Sequence, residues 1–304
     1  MEIIRARILG FCSGVRRAVK TADSVLREHD GKAGSVYSLG PLIHNPLVLD
    51  SFEKRGLKVL SEKDCGVLCP DDTVIIRAHG VSPDVEGSIS FRGASVVNAT
   101  CPLVTQSQKR VADFASKGCT IIFAGDPNHG EVIGIEGYAR AASEAKNLSC
   151  SFFLVRDEKE LGRLFESGAI NSDKKIVLLC QTTFSIPIFE KIAAFLKEKI
   201  PNAQIVNSIC PATHERQDAL EELCSVVDAV VVIGGKNSAN TNRLFRAAEK
   251  SCKYAVLVES AEEITDDIAG ALLGFEKIGL TAGASTPDDV IDGVERFLNE
   301  KRYL

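Results

Sequence analysis

Two stretches of the chain read as copies of one another: Val96-Val97-Asn98-Ala99-Thr100-Cys101-Pro102 and Ile205-Val206-Asn207-Ser208-Ile209-Cys210-Pro211. Each runs from a short β-branched segment to a cysteine and then a proline. Proline is favoured in the first turn of a helix, so each cysteine is expected at a strand-to-helix junction. Cys12, in Gly10-Phe11-Cys12-Ser13-Gly14-Val15, sits at a third such junction. The three cysteines lie at intervals of 89 and 109 residues, each about the length of a small domain.

The likeness continues outward. After each cysteine comes a glycine-containing polar loop: Gly40-Pro41-Leu42-Ile43-His44-Asn45, then Gly125-Asp126-Pro127-Asn128-His129-Gly130-Glu131, then Gly234-Gly235-Lys236-Asn237-Ser238-Ala239-Asn240. Further on, a second strand ends in another polar loop: Arg77-Ala78-His79-Gly80, then Gln181-Thr182-Thr183, then Thr281-Ala282-Gly283-Ala284-Ser285. Val74-Ile75-Ile76 and the runs 120–124, 176–179 and 229–233 are short and aliphatic, as parallel strands covered on both faces are. Helical patterns span 15–28, 104–116, 187–199, 213–226 and 287–298, the last with Thr286 as its expected N-cap. Alternating strands and helices predict an α/β fold with mainly parallel sheets. The threefold pattern predicts three pseudo-equivalent α/β units: 1–100 with Cys12, 101–207 with Cys101, and 208–304 with Cys210 and a C-terminal helix. In open α/β sheets ligands collect at the carboxyl ends of the strands, where these loops lie.

Composition narrows the function. Lys and Arg number 36 against 41 Asp and Glu, for a net charge of -5, and no basic run is present, which argues against a nucleic-acid partner. The first residues lack a signal peptide's regions, and no apolar stretch approaches the roughly 20 residues of a membrane span. A soluble, cytoplasmic protein is expected, and there ten cysteines are thiols or ligands rather than disulfides. The Gly234-Gly235-Lys236 segment lacks the spacing of a phosphate-binding P-loop. No G-x-G-x-x-G follows a strand, so electrons would come from a separate protein carrier rather than a nicotinamide.

Three equivalent thiols far apart fit structural zinc poorly, because zinc takes four ligands, usually in close pairs. They suit an iron–sulfur cluster that leaves one iron without a protein ligand, able to act as a Lewis acid. A single cysteine is more often inert filler; the repeated context of Cys101 and Cys210 reverses that reading. Cys65 and Cys69 read as structural or surface thiols, and Cys119, Cys150, Cys180, Cys224 and Cys252 as core. A lone loop histidine is usually a surface or capping residue, but His44, His79 and His129 all fall in the repeated loops and suggest a shared anionic ligand. With Ser238, Asn240, Ser285 and helix N-termini they suit a phosphate or diphosphate. Glu131 is a candidate proton donor, or equally a carboxylate stabilised at a helix N-terminus. Thr182 and Thr183 either orient a substrate hydroxyl and relay a proton or cap the next helix. Two further readings stay open at this level: an open-iron hydro-lyase acting on a small phosphorylated substrate, and a sensor that binds without turnover.

The three cysteine motifs, with Arg216-Gln217, His44-Asn45, Ala78-His79-Gly80, Gln181-Thr182-Thr183, Lys236-Asn237-Ser238 and Thr281–Ser285, resemble in order those of the 4-hydroxy-3-methylbut-2-enyl diphosphate reductases. The resemblance runs from residue 10 to about residue 291. It implies reductive dehydroxylation of an allylic diphosphate to isopentenyl and dimethylallyl diphosphate, the last step of the non-mevalonate isoprenoid pathway. It also implies a trefoil of α/β units around a [4Fe–4S] cluster with one open iron. Cys12, Cys101 and Cys210 match the cluster ligands. His44, His79, His129, Ser238, Asn240 and Ser285 match the diphosphate-binding groups, Glu131 the proton-delivering carboxylate and Thr182 its partner. A monomer supplied by reduced ferredoxin or flavodoxin is expected. Three positions depart from the family pattern: Gly130 stands where proline is usual, Ala239 where a second serine is frequent, and Gly235 where serine is expected.

Overall fold

The computed structural model describes residues 2–170 and 174–301. The strands among them are β1 (Glu2–Arg5), β2 (Val36–Leu39), β3 (Leu57–Leu60), β4 (Thr73–Ile76), β5 (Ser95–Asn98), β6 (Thr120–Ala124), β7 (Ser151–Val155), β8 (Ile176–Cys180), β9 (Gln204–Ile205), β10 (Ala229–Ile233), β11 (Tyr254–Val258) and β12 (Lys277–Ala282). The α-helices are α1 (Ser13–His29), α2 (Pro46–Glu53), α3 (Pro83–Phe91), α4 (Pro102–Ser116), α5 (Gly130–Glu144), α6 (Glu158–Glu166), α7 (Ile186–Lys199), α8 (Pro211–Cys224), α9 (Ala239–Ser251), α10 (Asp266–Leu273) and α11 (Asp288–Lys301).

The strands form three four-stranded sheets, ordered β3-β2-β4-β5, β7-β6-β8-β9 and β1-β12-β10-β11, and every pairing is parallel. The expected α/β class with three parallel-sheet units is what the chain adopts. In each sheet the two central strands are followed by the two polar loops of the repeat, and one edge strand (β5, β9 or β1) leads into a cysteine. The third sheet draws that edge strand from the start of the chain, with Glu2 beside Lys277 and Arg5 beside Leu280. The repeat is thus closed in a circle: β1 does for the C-terminal strands what β5 and β9 do for their own sheets.

One compact unit comprises residues up to 16, 43–52 and 211 onward; the other comprises 17–42 and 53–210. In the first, β10 splits its side chains by strand periodicity. Ala229, Val231 and Ile233 pack with Ile278, Leu280, Ile291 and Leu298, while Val230 and Val232 pack with Leu220, Leu223 and Leu244. In the second, β6 sends Ile122 toward Phe189 and Leu196 and sends Ile121 and Phe123 toward Val111 and Ile135. Strands covered on both faces explain why the central segments read as unbroken apolar runs.

Helix starts follow local chemistry. Asn45 is buried and its Oδ1 accepts the Val48 N–H at 3.1 Å, capping α2. Thr286 does not act as the expected cap of α11. Its buried hydroxyl donates to the Ile233 carbonyl at 2.9 Å, and the Pro287 carbonyl accepts the Ile291 N–H instead. The Ile233 carbonyl at the end of β10 uses both lone pairs, accepting the Gly283 N–H at 2.9 Å as well as the Thr286 hydroxyl.

Candidate active site

Each cysteine is held by the same device. The Cys101 N–H donates to the Ala78 carbonyl at 2.9 Å, the Cys210 N–H to Thr182 at 2.8 Å, and the Cys12 N–H to Ala284 at 3.1 Å. In every case the acceptor lies in the polar loop that follows the adjoining central strand (β4, β8 or β12). The sequence repeat is therefore also a hydrogen-bond repeat. All three cysteines are half-buried and directly precede a helix, with Cys101 the N-cap of α4 and the Val15 N–H reaching the Cys12 Sγ at 3.4 Å. A helix N-terminus favours the thiolate, the form that binds metal.

The other cysteines behave differently. Burial pushes the Cys180 thiol up to about 11. Burial, with a hydrogen bond to Cys252, pushes Cys224 up to about 12. Burial also raises Cys65 and Cys150. Neutral thiols make poor ligands, which sets these four aside; what distinguishes Cys12, Cys101 and Cys210 from all the others is their shared place at helix starts, and three such thiols fit a soft metal or an iron–sulfur cluster.

The second unit brings His79, His129, Glu131 and Thr182 together. The rings of His79 and His129 meet edge to face at 5.2 Å between centroids. His129 is the N-cap of α5, its Nδ1 accepting the Glu131 N–H at 3.2 Å. The turn before it is closed by Asn128 at φ 64°, a left-handed conformation that asparagine tolerates. Glu131 lies in the first turn of α5 and is only 1% exposed. Its Oε1 accepts the Thr182 N–H at 2.6 Å and its Oε2 the Thr182 hydroxyl at 2.7 Å. The carboxylate sits at a helix N-terminus, as one of the two readings of Glu131 has it, and it is also clamped to Thr182. Gln181 ties the loops further, its Oε1 accepting the Asp126 N–H at 2.9 Å and its Nε2 donating to the Thr183 hydroxyl at 2.9 Å.

The departure at Gly130 has a physical partner that sequence reasoning missed. Arg77 is buried, donates to the Leu39 carbonyl at 3.0 Å and pairs with Glu62 at 2.6 Å. Its guanidinium occupies the space a Cβ on Gly130 would need, 2.8 Å from Nη2, and also that of a Cβ on Gly40. Two glycines in the repeated loops make room for one arginine.

The first unit holds His44, Ser238, Asn240, Ser285 and Cys12. The Ser285 hydroxyl donates to the His44 carbonyl at 3.0 Å. Ser238 caps α9, its Oγ accepting the Thr241 N–H at 3.3 Å, and Asn240 lies buried in the first turn. The Asn240 Nδ2 is buried without a hydrogen-bond partner. A buried donor left unmatched costs roughly 1–3 kcal/mol, which an anionic ligand at this helix N-terminus would relieve. Gly235 is explained as well: any Cβ there would run into the His44 carbonyl oxygen. Ala239 opens α9 half-buried, with no hydroxyl to add. No helix among the described residues is long and apolar enough to cross a membrane.

Comparison with known proteins identifies the family and the fold. A family model described as "LytB protein" matches residues 3–299. The 4-hydroxy-3-methylbut-2-enyl diphosphate reductase of Treponema denticola is 41% identical over 302 residues, covering 99% of this chain and 100% of that protein. The reductase of the same name from Thermoanaerobacter sp. is 38% identical, covering 97% and 95%. Among solved structures, the E-1-hydroxy-2-methyl-but-2-enyl-4-diphosphate reductase of Plasmodium falciparum superposes with a TM-score of 0.86 at 28% identity, over 98% of this chain and 87% of that one. A second, the (E)-4-hydroxy-3-methyl-but-2-enyl diphosphate reductase described as the terminal enzyme of the non-mevalonate pathway, gives 0.68 at 33% identity, over 99% and 100%. By sequence along nearly its whole length and by its three parallel sheets, the chain belongs to the LytB protein family.

Proposed function

We propose that this chain reduces 4-hydroxy-3-methylbut-2-enyl diphosphate to isopentenyl and dimethylallyl diphosphate at a [4Fe–4S] cluster held by Cys12, Cys101 and Cys210. Two electrons and two protons enter, the carbon–oxygen bond to the hydroxyl breaks, and water leaves. The observation that carries the reading is the threefold amide lock on the cysteines, which leaves three half-buried thiols at helix starts while the remaining thiols with raised values are filler. Bound there, the cluster would supply electrons and one iron without a protein ligand, a Lewis acid for oxygen.

The chain's own residues do the rest. Glu131 holds the proton on Oε2, from which it donates to the Thr182 hydroxyl in the reverse of the bond the carboxylate accepts, and Thr182 passes its own proton on to the substrate hydroxyl. The Thr182 N–H on Oε1 fixes the carboxyl plane, so the relay needs no search for orientation. His44, His79, His129, Ser238, Asn240 and Ser285 bind the diphosphate, the one part of a five-carbon substrate with enough polar surface to grip. A reduced ferredoxin or flavodoxin delivers the electrons to a cytoplasmic monomer.

The test is anaerobic turnover of the hydroxylated diphosphate by iron-reconstituted protein with a reduced viologen dye. Dye oxidation with both five-carbon products supports the reductase. Consumption of substrate without dye would indicate a hydro-lyase, and binding without consumption a sensor.

A further inference from the structure

Two arginines that the reaction does not use grip the backbone beside two of the cysteines. Arg17 stands in α1, five residues after Cys12, and its Nη1 donates to the Thr100 carbonyl at 2.6 Å. Arg216 stands in α8, six residues after Cys210, is 3% exposed, and its Nη2 donates to the Gly10 carbonyl at 2.6 Å. Its Nη1 holds the Ala212 carbonyl, one turn back in its own helix, at 2.8 Å. Each arginine thus lies in the helix launched by one cysteine and binds a carbonyl one or two residues before a different one.

We propose that Arg17 and Arg216 are positioning residues of the cluster site, coupling the Cys12 helix to the Cys101 loop and the Cys210 helix to the Cys12 loop. The inference rests on the cluster reading above. Thr100 and Cys101 share one peptide unit, whose carbonyl accepts from Arg17 and whose N–H donates to Ala78. That peptide is held from both sides, so the Cys101 thiol keeps one direction. On the other strap, the Gly10 carbonyl accepts from Arg216 and the Cys12 N–H donates to Ala284, so the two residues flanking Phe11 are fixed. A guanidinium donates through a rigid fork and carries a permanent charge. Three thiolates make a loaded site anionic, and a nearby cation favours the form with one more electron. Both arginines therefore fix thiol geometry, and Arg216, whose buried charge is little screened, also raises the reduction potential, whereas the charge of the exposed Arg17 is screened by solvent.

The test uses the full chain, reconstituted with iron and sulfide under anaerobic conditions, as wild type, Arg216→Lys, Arg216→Met and Arg17→Met. Iron per chain, the rate of iron loss to a chelator, the midpoint potential and the melting temperature of the metal-free protein are read for each. Loss of a charge-assisted hydrogen bond should speed iron release about tenfold in both Met variants, and the midpoint potential should fall in Arg216→Met. Arg216→Lys should recover most of the potential, because it keeps the charge, but not the slow iron release, because it lacks the fork. Variants that differ from wild type only in the metal-free melting temperature would overturn the inference and make the arginines ordinary structural braces. Arg17→Met and Arg216→Lys keep the test decisive if Arg216→Met fails to fold. If wild type itself binds no iron, the cluster reading falls and the inference with it; if wild type loads and the variants match it, only the inference falls.

Discussion

Glu131→Gln isolates the proton from the shape of the carboxyl group. The carboxylate accepts two hydrogen bonds from Thr182, at 2.6 and 2.7 Å, in a site 1% exposed. A glutamine keeps its Oε1 for the Thr182 N–H, and its amide turns the second contact around by donating to the Thr182 hydroxyl. No buried group is left unmatched. The change replaces two charge-assisted bonds by neutral ones, worth about 1–2 kcal/mol in all, or a melting temperature lower by roughly 2–3 °C in a chain of this size. The amide has no proton to give, so turnover should fall about 10²–10⁴-fold, the usual contribution of a general acid. The assay is anaerobic dye oxidation at saturating substrate, with iron content measured on the same sample. Iron content should match wild type, since the Cys210 N–H bond to the Thr182 carbonyl is untouched. Turnover within a few-fold of wild type at equal iron would refute the proton role, and a loss of turnover that merely follows a loss of iron would refute the separation of acid from scaffold.

Thr182→Val keeps the shape and the backbone N–H but removes the relay hydroxyl, so turnover should drop at least about tenfold and Thr182→Ser should restore much of it; equal rates for Val and Ser would exclude the relay. Gly130→Pro should cost about 1–3 kcal/mol by overpacking against Arg77, which is fixed by Leu39 and Glu62, and an unchanged melting temperature would show that Arg77 yields freely. Gly235→Ser should push the His44 carbonyl away and raise KM for the diphosphate more than it lowers kcat, measured by steady-state kinetics. Cys180 ionises near 9.0 when exposed and near 11 when folded, so the stability tied to its proton is present below pH 9 and lost as pH rises from there through 11. That amounts to roughly 3 kcal/mol, and Cys180→Ala should flatten the alkaline decline in urea midpoints by a comparable amount.

Much of this protein was legible in its sequence because the relevant signals are local. The strands β4, β6, β8 and β10 announce themselves as apolar runs, and the cysteines as the residue before a helix-starting proline or after a turn. The helix after Cys101 was expected from 104 and starts at Pro102; α7 and α11 were met within one residue of their expected starts. Helices α5 and α9 were not delimited because each begins inside a polar loop, where His129 and Ser238, weighed as ligand candidates, serve as caps. Strand β1 escaped because its four residues are half-exposed and gain their meaning only from β12, 275 positions away.

The sequence by itself determined the class, the repeat and the loops, and it named the candidates for holding a cluster and a diphosphate. Only the tertiary structure decided which groups meet. It set Glu131 on Thr182 across 51 residues, Arg77 against Gly40 and Gly130, the Thr286 hydroxyl on a strand end, and Arg17 and Arg216 on the cysteine loops. The physical reason is that period and capping depend on neighbours within a turn or two. A buried carboxylate, by contrast, is matched by whichever donor a parallel sheet, with its long crossovers, brings alongside.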